Sequence, residues 1–579
     1  MLKNDEFIVE IVDVTNEGSG VGKVDGMAVF VPLTAVGDVV KAKAIKVKKQ
    51  YAIGKLLEII TPSNNRIEND CPYFNRCGGC VFRHISYKSE LELKSNKVYE
   101  VIKRIGGVDM APMPILFDEC DRYRNKAQYP LSENGGVGFY AFHSHRIIEC
   151  EDCVLQPEIF SKITDAVSDF VRKYSISIYD EEKHKGLLRH LYIRRGQISG
   201  EIMVCFVVNG DTLPKSEIII EKLKAICGDE LKSVVLNINK QDTNVILGDT
   251  CKTLCGSDYI TDTLAGVKVR LSPLSFYQVN TVMANKLYAK AKDYAKPEGK
   301  NIIDLYCGAG TIGLSMAKEA KSIIGVEIIE AAVKDAEFNA KENGIENAKF
   351  ICGDAKTAAE QLKNEKIKPD TVIVDPPRKG CDSELIKIIA NDFCPQSVVY
   401  ISCDPATLAR DIKIFGEEGY NFVEYTPADL FPRTSHVETV ALLSRQIDVH
   451  KMKLNSAPFE MIKSGEKTIE LRLFDEKRQQ LKVGDKIVFT DTTTGETLNT
   501  TVVKLHRFDS FEELYKSLPL LKCGYTTENV DNANSSDMEE YYSVEEQRKH
   551  GVVGIELCRP KHFTDECVAY LIKGETNAN

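Results

Sequence analysis

No apolar run in this 579-residue chain approaches the ~20 residues that a membrane span requires, which excludes an integral membrane protein of the helical kind. The first residues, MLKNDEFIVEIVD, carry acids early and have no apolar core. A secretory signal is therefore not expected, and the expectation is a cytoplasmic protein with no membrane partner. There is no excess of basic charge: the formal net charge is -10, so a chain-wide nucleic-acid footprint is missing. No internal repeat or long low-complexity tract is present. With 43% hydrophobic and 28% charged residues, disorder, collagen and coiled coil are excluded as whole-chain descriptions.

The length instead suggests roughly four domains of ~150 residues each. One stretch reverses the charge balance: Lys41 to Lys55 holds six lysines and no acid. The chain has 18 cysteines. Without a signal they do not form a disulfide scaffold; they read as a few chemical or metal-binding thiols among buried small apolar residues.

Periodicity divides the chain into four segments. Residues 1–60 alternate apolar and polar in short runs (FIVEIVDV, MAVFVPL, DVVKAKAIKV, YAIGKLLEII) between glycine turns. This predicts a small OB-like antiparallel β-barrel. Such a barrel binds single-stranded nucleic acid or only stabilises the fold, and the pattern leaves both open. Residues 61–285 begin with a cysteine-rich knot and continue with strands such as LLRHLYIRRG and SGEIMVCFVVNG, predicting a central domain built on an antiparallel sheet. Residues 286–446 alternate strand and helix patterns, which predicts a doubly wound, Rossmann-like α/β domain. Residues 447–579 start a new strand pattern with a polar loop at 526–540. The whole is a multidomain α/β chain.

The strand NIIDLY runs into Cys307-Gly308-Ala309-Gly310-Thr311-Ile312-Gly313 and a helix. These glycines satisfy G-x-G-x-x-G, which does not separate a dinucleotide site from an S-adenosylmethionine site. Glu327 ends the next strand at the distance where an acid reaches ribose hydroxyls. Gly353-Asp354-Ala355 ends the third, where an adenine contact is expected. Asp375-Pro376-Pro377-Arg378 ends the fourth, at the edge where open sheets bind ligands. It resembles the fourth motif of nucleic-acid methyltransferases. Arg378 stands where amino-group methyltransferases place an aromatic residue, which argues against methylation of an exocyclic amine.

Cys403 follows the strand SVVYIS and precedes Asp404-Pro405. A thiolate there, beside the cofactor loop, is placed to attack uracil C6 and make C5 nucleophilic. The C5 proton must then leave to a base. Glu438, at the head of the last apolar strand, is the candidate; His436 is the alternative base, with an orienting role expected.

The segments SFYQVN (275–280), DLYCGAGTIG, DPPRKG, ISCDPATLARD and FPRTSHVETV, in this order, resemble the RumA/TrmA family of RNA uracil-5-methyltransferases over residues 1–446. The resemblance implies Cys403 as nucleophile and Glu438 as base. It implies cofactor contacts from Gln278, Tyr306, Glu327 and Asp375, and places Phe276 near the target base. Asp404 departs from the Asn of many relatives. The spacing Cys71-x5-Cys77-x2-Cys80, with Cys153 far downstream, is a metal-site pattern for which four-thiolate zinc is the generic reading. The resemblance instead implies a [4Fe–4S] cluster on Cys71, Cys77, Cys80 and Cys153, with Cys150 a near neighbour outside the ligand set. EGSGVGKVDGMAVFVP resembles a TRAM barrel. Barrel and cluster together imply ribosomal RNA of the large subunit as substrate, with transfer RNA the alternative. HKMKLNSAPFEMIKSGEKTIELRLFDEKR resembles an ASCH domain, a PUA-like barrel. RNA binding is expected there: Lys467 matches the small amidohydrolases of that family, while Glu470 replaces their threonine and Arg472 follows. A monomer is expected. The rivals are a dinucleotide-dependent oxidoreductase, which leaves DPPR, Cys403 and HVE unexplained, and a non-catalytic RNA-binding protein, which needs no thiol beside a cofactor loop.

Overall fold

The computed structural model describes residues 1–142 and 144–558; the end of the fourth expected segment, 559–579, lies outside the described residues. The chain divides at Arg445 into two compact units. Among the described residues no helix is long and apolar enough to cross a membrane.

The N-terminal part of the first unit is a six-stranded sheet from Glu6–Glu10 to Tyr51–Thr61. Its strands bury every second residue, as at Phe7 and Val9, and the buried set (Phe7, Val9, Val29, Val31, Val40, Ala42) forms one core. Asp38 fastens the sheet to the segment that leaves it at Ser63. Its buried carboxylate accepts from Ala35 N (2.6 Å), Ser63 N (2.9 Å) and Arg66 Nη2 (2.7 Å).

The central sheet corrects the expectation of purely antiparallel pairing. Its strands lie in the order Thr250–Gly256, Leu231–Ile238, Ile202–Val208, Leu188–Arg195, Lys126–Pro130. Ile202–Val208 and Leu231–Ile238 pair in parallel. The cause is the intervening helix Ser216–Cys227, because a helical crossover returns the chain in the same direction. Ile202–Val208 is buried along its whole length. Phe206 and Val204 face a core with helices Glu158–Lys173 and Ser216–Cys227, while Met203 and Cys205 join the core of the α/β domain.

That α/β domain is a seven-stranded sheet: β1 (Asn301–Leu305), β2 (Ser322–Glu327), β3 (Ala348–Cys352), β4 (Thr371–Val374), β5 (Ser397–Ser402), β6 (Tyr420–Ala428) and β7 (Glu438–Arg445), in the order β3-β2-β1-β4-β5-β7-β6. β1 to β5 are parallel and β7 is antiparallel to both neighbours. Strand order reverses between β1 and β4, the point where doubly wound sheets hold ligands.

The loop between β6 and β7 is held from outside by a buried charge network. Helix α1 (Tyr87–Val101) presents Glu90 and Lys94, both buried, as is Asp429 at the end of β6. Lys94 Nζ donates to Glu90 (2.8 Å), to Asp429 (2.7 Å) and to the Phe431 carbonyl (3.1 Å). Glu90 also accepts from Arg433 N at 2.7 Å. Arg433, in the left-handed region at φ 69°, has its carbonyl capped by Val81 N (2.7 Å) and Phe82 N (3.1 Å) of the cysteine-rich segment. Asn280 Nδ2 and Tyr123 OH donate to the Leu430 and Pro432 carbonyls at 3.2 and 3.0 Å.

The second unit holds five strands in the order Val449–Leu454, Lys486–Asp491, Thr497–Phe508, Val552–Cys558, Ile469–Leu473. The expected barrel is here a half-barrel sheet, with apolar side chains in two separate clusters, one around Phe459 and Phe489 and the other around Phe511 and Leu514. The expected polar loop at 526–540 contains two short 3-10 turns, Val530–Asn532 and Ser535–Glu540.

Removing Lys94 from the buried network leaves the Glu90 and Asp429 carboxylates with only Arg433, 3.5 Å from Glu90, to compensate them. Lys94→Met is expected to cost about 3–5 kcal/mol, read as a lowered unfolding temperature. Lys88→Met, which touches only an exposed pair with Glu92, is expected to cost under about 1 kcal/mol. Equal unfolding temperatures for the two variants would refute this role of Lys94.

Candidate active site

The carboxyl ends of β1, β2, β4 and β5 open on one cavity of about 1110 Å3. Gln278, Tyr306, Glu327, Asp375, Cys403 and Glu438 all line it, with Phe276, Asp354, Arg378 and His436. The sequence motifs, spread over more than 160 positions, thus converge on one space.

The loop after β1 is shaped for close approach. Tyr306, Gly308 and Gly310 all have positive φ (66°, 54° and 78°), a strained conformation for the tyrosine. A Cβ at Gly308 would meet nothing within 4 Å, so glycine serves the backbone angle there and leaves the space above it open. At Gly313 a Cβ would lie 3.0 Å from Asp304 Oδ2 and Ile323 Cγ2, so glycine serves the packing of helix on strand. Asp304, buried in β1, accepts from Gly313 N at 2.9 Å, and burial pushes its carboxyl up to about 7. Glu327 accepts from Gly308 N (3.0 Å) and Ile329 N (2.9 Å), which fixes its carboxylate at the cavity wall with lone pairs to spare for hydroxyl donors. Asp354 lines the cavity and caps helix Ala355–Asn364 through Lys356 N at 3.0 Å.

On the other side of the switch point, Asp375 is pushed up to about 7 by burial. Cys403, half-buried, follows β5. Asp404 accepts from Ala406 N at 2.8 Å and caps helix Pro405–Glu417. Aspartate and asparagine cap equally well, which accounts for the departure at this position. Burial pushes the Cys403 thiol up to about 11, helped by the nearby Glu438 and Asp375 and opposed by Arg378. Glu438 opens β7 and is buried; burial and then Asp375 push it up to about 8, again against Arg378. His436 sits edge-on to Phe431, ring centroids 6.0 Å apart. Burial, then Arg378, Lys97, Lys94 and Arg124 hold it below its ordinary value, so it is a neutral imidazole.

Cys71, Cys77, Cys80 and Cys153 line a second, smaller cavity of about 100 Å3 with Phe74, Phe139 and Leu155. Cys150 lines it too, so this space does not separate it from the other four. Among the described residues no group of three or more His, Cys, Asp or Glu is arranged to hold a metal ion. The donor set nevertheless suits thiolate chemistry. Gly79 N points at Cys77 Sγ (3.4 Å), and Arg83 and Arg124 stand by to balance negative charge. Burial pushes Cys80 up to about 12 and Cys153 up to about 11, so a metal bound here would have to displace thiol protons.

Arg124 is a residue that the sequence did not disclose. It lines both cavities, and its side chain makes a long hydrogen bond, Nε to Tyr123 OH at 3.4 Å. Asp335 and Ser275, joined at 2.8 Å, extend the large cavity. No local motif marks Arg124 or Asp335, whereas Ser275 opens the segment SFYQVN. In the second unit, buried Glu470 bridges Lys467 Nζ (2.9 Å) and Arg472 Nε (2.8 Å), and Arg472 also donates to the Lys453 carbonyl (3.0 Å). The triad is internally neutralised on two of its three members.

With the geometry in place, similarity is informative. Residues 86–446 match the tRNA (uracil-5-)-methyltransferase family, residues 3–57 the TRAM domain and residues 452–561 the ASCH domain. An uncharacterized RNA methyltransferase of Halalkalibacterium halodurans is 45% identical over 448 residues, 76% of this chain and 97% of that protein. One of Clostridium tetani is 41% identical over 454 residues, 78% of this chain and 98% of that protein. A crystal structure of the Pyrococcus abyssi tRNA (uracil-54, C5)-methyltransferase with S-adenosyl-L-homocysteine covers 76% of this chain and all of its own, with 28% identity and a TM-score of 0.63.

The raised carboxyl of Glu438 has a stability consequence. An acid with a higher pKa when folded stabilises the fold fully below its unfolded value near 4.5 and loses that contribution as pH rises through about 8. Glu438→Gln has no proton to lose. Its unfolding temperature relative to wild type should therefore rise between pH 5 and pH 9 in calorimetric scans. Parallel pH dependences would show that the carboxyl is not perturbed.

Proposed function

The chain belongs to the tRNA (uracil-5-)-methyltransferase family, and we propose that it methylates uracil C5 in ribosomal RNA of the large subunit through a covalent cysteine–C6 adduct. The observation that carries the reading is the presence of Cys403 and Glu438 in one cavity with Gln278, Tyr306, Glu327 and Asp375.

Bound S-adenosylmethionine supplies an electrophilic methyl group. The glycine cradle, the open space over Gly308 and the pinned carboxylate of Glu327 suit its amino-acid, adenine and ribose parts; Gln278, Tyr306 and Asp375 complete the wall. Cys403 adds through sulfur to uracil C6, and the C5–C6 pair becomes an enolate that takes the methyl at C5. Its thiol is protonated at neutral pH, so its proton must pass to solvent as the base docks; Arg378 favours the thiolate. Glu438 then accepts the C5 proton. The C5–H electrons re-form the double bond and expel the Cys403 thiolate, restoring the enzyme. With its carboxyl pushed up to about 8, the Glu438 carboxylate is a stronger base than a solvated one, and it must be in its ionised form, which Arg378 favours, when the C5 proton leaves. Phe276, largely exposed at the cavity mouth, presents a face on which a base can stack.

Cys71, Cys77, Cys80 and Cys153 would hold a [4Fe–4S] cluster. No step of the methyl transfer needs its electrons. Its effect is to brace the segment whose Val81 and Phe82 cap Arg433. The barrel with its lysines and the ASCH domain are proposed RNA contacts, and a cytoplasmic monomer fits this work.

A transfer-RNA substrate is the second reading, and a specific observation favours it. The Pyrococcus abyssi tRNA enzyme matches a larger share of the chain than residues 86–446 make up, so the added N-terminal parts do not by themselves exclude transfer RNA. Mapping 5-methyluridine in both RNAs from cells with and without the gene decides. Loss from 23S RNA alone supports the first reading, and loss from transfer RNA alone replaces it.

Two in vitro outcomes are expected. Cys403→Ala abolishes methylation and any denaturation-resistant protein–RNA band. Glu438→Gln, unable to accept the proton, accumulates that band carrying label from methyl-labelled cofactor; normal turnover by this variant would remove Glu438 from the base role. For the cluster, anaerobically purified protein should contain iron and sulfide. Serine at Cys71, Cys77, Cys80 or Cys153 should lose iron and Cys150→Ser should keep it, while zinc in place of iron would refute the cluster.

A further inference from the structure

The barrel reaches the loop that ends at Glu438 through two intermediaries, Val81 of the cysteine-rich segment and Lys97 of α1. Its turn Thr15–Ser19 is closed by Ser19 N donating to Thr15 Oγ1 (3.0 Å) and Gly18 N to the Thr15 carbonyl (2.9 Å). Gly18, at φ 88°, lies so near Val81 that a Cβ would stand 2.0 Å from its Cγ1. Val81 and Phe82 are the residues whose N–H groups cap the Arg433 carbonyl. From the other side, Lys97 of α1 donates through Nζ to the Asn16 carbonyl of the turn (3.2 Å) and to the Ser435 carbonyl (3.0 Å). Only His436 and Val437 separate Ser435 from Glu438. Among the described residues, the Lys97–Ser435 bond is the last side-chain hydrogen bond from another element before β7 begins.

Lys97 is suited to join two carbonyls. An ammonium carries three donors on a flexible stem and holds both at once. It is half-buried, and burial lowers its pKa while the carboxylate of Asp404, next to Cys403, raises it. The same cation therefore faces the barrel, the loop that ends at the base and the residue after the nucleophile.

Resting on the reading of Glu438 as base, we propose that Lys97 is a positioning residue for the proton-removing step, tying the barrel turn Thr15–Ser19 to the loop that ends at Glu438. RNA seated on the barrel then fixes the turn, and through Lys97 the Glu438 carboxylate, against the methylated C5. The step gated is the last one: transfer of the C5 proton to Glu438 with re-formation of the C5–C6 double bond and departure of the Cys403 thiolate.

The test uses the full chain with methyl-labelled S-adenosylmethionine and RNA extracted from cells lacking the gene. It follows two quantities: label in the denaturation-resistant band and label in released RNA. Lys97→Met is expected to form the labelled band as fast as wild type and to release product about tenfold more slowly or worse, the scale of one lost hydrogen bond to a charged group. Lys97→Arg, which keeps donors and charge, should recover most of the release rate. Thr15→Val loosens the turn at the surface without touching the loop, and should slow release in the same selective way, which keeps the test open if Lys97→Met fails to fold. The proposal is overturned if Lys97→Met releases product at the wild-type rate, or if band formation slows as much as release. Wild-type behaviour of Thr15→Val would cut the barrel out of the coupling. If Glu438→Gln fails to stall, the base assignment falls and the proposal falls with it; if Glu438→Gln stalls and Lys97→Met does not, the positioning role alone is sunk.

Discussion

The buried quartet Glu90, Lys94, Asp429 and Arg433 is the constraint on which the active site depends. Ion pairs out of water are expensive to assemble and contribute little net stability. Their use here is geometric. They take a loop with no regular pairing of its own and fix it to a helix more than 300 positions upstream. The loop then delivers Glu438 to the head of β7. Cysteine-rich segment, helix α1 and central domain all place a donor on this loop, so these parts of the first unit share one object.

The cavity next to it has a consistent electrostatic character. Asp375 and Glu438 line it, Asp304 is buried in β1, and each of these three acids is pushed up, to about 7, 8 and 7 respectively, chiefly by burial. Arg378 is the cation that opposes the shift at both Cys403 and Glu438. An aromatic residue in its place would stack a base but leave thiol and carboxyl without that compensation. The loop after β4 thus carries charge tuning, while the exposed aromatic ring at this cavity, Phe276, stands on another segment.

The features legible in the sequence were local ones. DLYCGAGTIG, DPPRKG, ISCD and HVE each sit at the end of an apolar strand, and strand ends of a parallel sheet lie together by construction. Hence the convergence of these segments on one cavity was legible in the sequence. The parallel pairing of Ile202–Val208 was not legible, because both faces of that strand are buried and its apolar run carries no sign of its partner's direction. Lys94 and Asp429 were not legible either: a lysine on a mid-helix position and an aspartate before a turn look like solvated residues until packing places them 2.7 Å apart. Arg124 belongs to the same class, as does the ion pairing of Glu470 with Lys467 and Arg472, although those three residues stood out in the sequence. Cys150 shows the opposite limit: the family resemblance set it apart from Cys153, while the fold puts both thiols on the same cavity.

The setting of Cys403 bears on how the enzyme survives between encounters with RNA. With its thiol pushed up to about 11, about one molecule in ten thousand carries a thiolate at pH 7. Peroxide and electrophiles attack the thiolate, and oxidation beyond the sulfenic acid is irreversible for most proteins. A nucleophile kept protonated in its resting cavity is therefore chemically durable. It gives up speed in the idle state and becomes reactive only where a docked substrate changes its surroundings, so shelf life and selectivity come from the same burial.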